Sequence, residues 1–196
     1  MRIFGLHLFE KPPLRNQLFV TKCGIWIPAV GAIQKRLENG LSGLSYARGV
    51  SFEVMKQMVA GATAKKEKIP YSDEAIVHVG IRHLAAQLQD YADKLIRCMN
   101  LARTYAKNQD SAAKKALDSA MAVFQLTLQQ VNAKTLEEME NEILALAIRA
   151  PGNVLSAQAT MKKHLAALQG ILLQLEGIYT RFEGQLHQLE LQPERR

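Results

Sequence analysis

The chain has 196 residues, of which 48% are hydrophobic and six are proline, and a net charge of +7. That length and composition suit one folded domain, or one domain plus an arm, and exclude a disordered chain. No run of about 20 apolar residues occurs, which excludes an ordinary membrane-spanning helix. Two cysteines far apart, Cys23 and Cys98, exclude a disulfide framework.

The charge is unevenly placed. Residues 1–70 hold eleven Lys or Arg and four acids, with seven of the twelve glycines and six of the twelve aromatics. Residues 71–196 hold fourteen bases and fourteen acids. The sequence therefore reads as a basic arm, 1–70, and a neutral body, 71–196. A basic arm invites an anionic partner: nucleic acid, a membrane surface or an acidic protein. The competing reading is ordinary surface charge that keeps the protein soluble.

In chain order, residues 1–28 show no helical period. Ile3, Phe4, Leu6, Leu8 and Phe9 make a short apolar cluster that Pro12 and Pro13 end. Glu10 and Lys11 follow it before any cleavage signal, so a secretory leader is not expected. A cytoplasmic setting is the expectation, with peripheral contact to a membrane open. Between Lys22 and Lys35 lie twelve residues without charge, CGIWIPAVGAIQ. They are too short to span a bilayer. Covering the end of a helical core is the plainer use. The other is a wedge of Ile25, Trp26 and Ile27 inserted into a membrane surface or a partner.

Residues 29–48 carry a helical stripe, Val30, Ile33, Leu37, Leu41 and Leu44, weakened by Gly31, Gly40 and Gly43. Ser51 is placed to cap a short helix carrying Phe52, Met55 and Val59. Two short helices on a basic arm weakly suggest a DNA-reading helix pair, but no polar recognition face accompanies them. AKKEKIP, residues 64–70, reads as an exposed helix end and linker.

Residues 71–108 predict a first long helix. Ser72 is its cap, and its seam is Val77, Ile81, Leu84, Leu88, Tyr91, Leu95, Cys98, Ala102 and Tyr105. Residues 111–149 predict a second, with Leu117, Met121, Phe124, Leu128 and Val131, then Leu136, Met139, Ile143, Leu146 and Ala150. The phase slips between Val131 and Leu136. Two helices split by a Thr135/Glu138 capping box would explain the slip, but one continuous helix matches its neighbours in length and is the expectation. Residues 151–191 predict the third, seamed by Met161, Leu165, Leu168, Leu172, Leu175, Tyr179, Phe182, Leu186 and Leu189. Residues 170–190 are three heptads, GILLQLE, GIYTRFE and GQLHQLE, with a coiled-coil-like 3,4 spacing.

Short connections between long helices force neighbours antiparallel. The expected fold is all-α: an elongated antiparallel three-helix bundle with coiled-coil-like seams and a short helical, basic N-terminal arm. All three seams lie in 71–196, so that body is expected to fold alone.

No catalytic constellation appears. The Glu74/His78 and Glu183/His187 pairs stand four apart, a spacing typical of surface contacts rather than of a di-iron site. There is no HExxH, phosphate-cradling glycine loop or CxxC. Cys98 reads as a core residue, and Cys23 as a loop thiol near Lys22. No metal, cofactor or small-molecule substrate is expected. Gly170, Gly177 and Gly184 share the heptad face away from the seam, where each glycine costs about 1 kcal/mol relative to alanine. They form a smooth track open to a partner helix, a second copy or the arm, or they are the residue of a duplicated repeat.

The functional expectation is a non-enzymatic helical scaffold, a subunit of a larger assembly. Its basic arm would contact an anionic surface through Lys35, Arg36, Arg48, Lys56, Lys65, Lys66 and Lys68. The alternative is a nucleic-acid-binding subunit that grips phosphates with the same arm.

Overall fold

The computed structural model of the chain describes residues 14–42, 44 and 50–190. It is all-helical, with six helices and no strand among the described residues. The long helix α3, Asp73–Asn108, packs against each of the other five. The Ser72 side chain accepts the Ala75 N–H at 3.1 Å, and Asp73 and Glu74 occupy the positive end of the helix.

Gln109 in the left-handed region ends α3, and the Asp110 carboxylate caps α4, Ser111–Gln130. The helix returns antiparallel to α3. Phe124 meets Tyr91 edge-on, and Lys94 donates to Thr127 at 3.0 Å. The second long helix is not continuous. Val131 is extended, and Asn132 caps a separate helix α5, Ala133–Ala147. The reciprocal bonds join Asn132 and Thr135, at 3.1 and 2.9 Å, instead of Thr135 and Glu138. Breaking the helix corrects the one-residue slip directly: Val131 and Leu136 are both buried. A continuous helix would have had to rewind to bury both.

α5 crosses α3 closely. A Cβ at Gly80 would fall on the Ile143 side chain. At the α5 exit Gly152 has φ +152°, and a Cβ there would fall on the buried Asp73 carboxylate. The Asp73 N–H donates to the Pro151 carbonyl at 3.2 Å, which ties this turn to the start of α3. α6, Val154–Glu190, then runs parallel to α3, and every residue of its expected seam is buried.

The N-terminal region departs most from expectation. α1, Leu14–Gly40, is one helix of 27 residues that contains the whole uncharged stretch and Pro28. It lies antiparallel to α3 and α6. Asn16 donates to the Ala106 carbonyl at 3.1 Å, Gln34 to Asp93 at 2.6 Å, and Lys22 to Gln185. Phe19, Cys23, Val30, Ile33 and Leu37 are buried in the same core as α3 and α6. The division at residue 70 is therefore no break in the core, in which α1 packs beside α3 and α6. Burial explains why proline is tolerated. Pro28 costs about 3 kcal/mol inside a helix, whereas burying each Phe, Val, Ile or Leu gains about 1.5–3 kcal/mol.

α2, Phe52–Lys65, is capped by Ser51 as expected. It buries Phe52, Met55, Val59 and Ala62, and Phe52 stacks on His83 with ring centroids 5.5 Å apart.

Candidate functional site: the two faces of helix α1

Every position of a helix is rotated 100° from the last, so three consecutive residues cannot form one wedge. The structure separates Ile25, Trp26 and Ile27 accordingly. Ile25 points outward and is 64% exposed. Trp26 is half-buried, edge-on to Phe182 of α6. Ile27 is half-buried against the core. The tryptophan is thus a packing residue between α1 and α6.

The outward face of α1 consists of Gln17, Leu18, Thr21, Gly24, Ile25, Pro28, Ala29 and Ala32, all exposed. It carries no charge over sixteen residues, about 24 Å. Lys22, the single charged residue between 16 and 34, lies to the side and donates to Gln185. A helix at the surface of a soluble protein normally turns charged residues to water, and one apolar on all sides is normally covered. α1 buries one apolar side and leaves an uncharged one open. No expectation had singled out Leu18, Pro28, Ala29 or Ala32. The absence of charge from Cys23 to Gln34 was the available signal, and it points to this face once the stretch is known to be helical.

The described cations of the arm do not form one surface. Lys35 borders a groove between α1 and α3 with Gln89 and Asp93. Arg36 donates to Gln174. Lys56 is held by Glu142 of α5 at 2.6 Å and by Glu53 at 3.6 Å, contacts that raise its pKa. Arg48 lies outside the described residues. Lys65, Lys66 and Lys68 are exposed at the other end, beside the Pro151 turn that bonds to Asp73. Sixteen residues of α3, about 24 Å, separate Asp73 from Gln89. Arg149, which the sequence had not singled out, joins Lys66 and Lys68 there.

A Cβ on Gly170, Gly177 or Gly184 would meet nothing within 4 Å. α1 bonds to Gln174 and Gln185, at another angle of α6, so among the described residues the α1 contacts do not cover the glycine track.

The thiols sit in unreactive surroundings. Cys23 is a fully buried helix residue, where a loop had been expected, and burial pushes its thiol up to about 12. Burial likewise raises Cys98 to about 11. Among the described residues no three His, Cys, Asp or Glu are grouped to hold a metal ion, and no helix is long and apolar enough to cross a membrane. His78 of α3 is buried, and desolvation lowers its pKa, with Glu74 opposing and Arg82 assisting. His164 of α6 is lowered by desolvation, then by Lys163 and His78.

The chain matches no known protein family, curated protein or solved structure.

Proposed function

We propose that the protein is a non-enzymatic helical interaction subunit that docks onto a protein partner through the outward face of α1. The observation that carries this reading is the exposed, uncharged face from Gln17 to Ala32 on a helix whose opposite face is core. The occupant that fits is an apolar, uncharged helix face of another protein. A charged partner surface would be desolvated there without a counter-charge. A lipid surface fits less well, because interfacial helices carry cations beside the apolar face and place their tryptophan outward. Here Trp26 packs inward against Phe182, and Lys22, the cation beside the face, is engaged with Gln185. A second copy fits less well because the chain carries +7, and two copies repel. Among the described residues the nucleic-acid reading finds no continuous basic track, since Lys56 is paired and Lys35 stands at a different level of the bundle from Lys66 and Lys68.

Sedimentation tests the proposal. The purified chain is expected to sediment as a monomer of 21.9 kDa. In native extract it should travel in a larger assembly, from which the double variant Leu18→Lys, Ile25→Lys is released with unchanged helicity. A monomer in both settings would refute the docking role. Concentration-dependent dimers of the purified chain, abolished by the same variant, would replace the partner with a second copy.

A further inference from the structure

The geometry points to a binding site for a phosphate-bearing ligand in the groove where the end of α2 meets the α5–α6 turn. The site does not depend on the docking role of α1. Lys66 and Lys68 approach it from one segment and Arg149 from another, about eighty positions away in sequence, with Thr63 alongside and Glu67 as the one acidic lining residue.

Three features separate this cluster from scattered surface lysines. The cations stand on anchored backbone. Lys66 is the left-handed cap of α2, its N–H bonded to the Ala62 and Thr63 carbonyls, a position where glycine is usual. Lys68 precedes Ile69, and Arg149 precedes Ala150, both buried. The Asp73 N–H to Pro151 carbonyl bond holds the turn that carries Arg149. The cations are also uncommitted: among the described residues neither Lys66, Lys68 nor Arg149 is in an ion pair, whereas Lys56, Lys94, Lys114 and Lys134 each have a carboxylate. Finally, the cation types suit the ligand. A guanidinium donates a fork of two N–H groups to phosphate oxygens, and ammonium groups add point charge. Residues of both segments line the same shallow depression.

Inorganic pyrophosphate is the probe. Titrated into the full chain at constant ionic strength, it should produce saturable amide shifts confined to residues 63–69 and 149–150. Lys68→Gln and Arg149→Gln should each weaken binding about tenfold, the worth of one charge-assisted hydrogen bond. Arg149→Lys should fall between wild type and Arg149→Gln, because it keeps the charge and loses the fork. Lys35→Gln should bind as wild type does. Shifts that follow ionic strength alone, or a loss in Lys35→Gln equal to that in Arg149→Gln, would overturn the proposal. So would binding of an oligonucleotide that pyrophosphate does not displace.

Discussion

Trp26 of α1 stands edge-on to Phe182 of α6, ring centroids 6.3 Å apart and planes at 83°. Phe19, seven residues earlier, meets the same ring at 6.2 Å. One helical face of α1 thus closes over the aromatic position of the last seam. Phe182 is fully buried, so Phe182→Ala is expected to cost about 3–5 kcal/mol in denaturant unfolding. By the same contact, the fragment 71–196 should unfold at lower denaturant than the full chain and bind a hydrophobic dye. A fragment as stable as the whole would show that α1 is not part of the core.

The long seams were legible because their rule is local. Val77 to Tyr105 and Met161 to Leu189 repeat at 3,4 spacing, and nothing else buries those residues in that order. The caps Ser51 and Ser72 were legible for the same reason. α1 was not. Its residues Cys23 to Gln34 are apolar on every side, so they have no period, and Gly24, Pro28 and Gly31 argue against a helix. Tertiary packing against α3 and α6 decided it. The fate of the cations was equally hidden, since neither the Lys56–Glu142 pair nor the depression lined by both Arg149 and Lys68 follows from spacing.

Glycines at two kinds of site should respond oppositely to alanine. At Gly80 the new methyl meets Ile143, and Gly80→Ala is expected to destabilise by about 1–3 kcal/mol through overpacking. At Gly177 the methyl meets open space inside a helix, and Gly177→Ala is expected to stabilise by about 1 kcal/mol. Denaturant midpoints of the two variants check both signs. Stabilisation at Gly177 accompanied by loss of native assembly would show that the glycine track is itself a contact surface.

Stability should fall on mild acidification. His78 and His164 have folded pKa values below 6.5, chiefly through desolvation. The unfolded chain therefore binds protons first as pH drops below about 6.5, and unfolding is favoured progressively until the folded-state values are reached. Well above pH 6.5 both rings are neutral in either state and the effect vanishes. Denaturant midpoints from pH 7.5 to pH 5 should decline, and His78→Gln with His164→Gln should flatten that decline. An unchanged slope in the double variant would locate the pH dependence elsewhere.

The docking role of α1 is tested most directly by a photo-crosslinking residue placed in living cells at position 25, with positions 126 and 173 as controls. Leu126 and Leu173 are as exposed as Ile25 but lie on α4 and α6. The account predicts a discrete protein adduct at position 25 that is not twice the chain's own mass, that is weak at 126 and 173, and that is lost when Leu18 is also changed to lysine. No adduct at position 25, or equal adducts at all three positions, would contradict it.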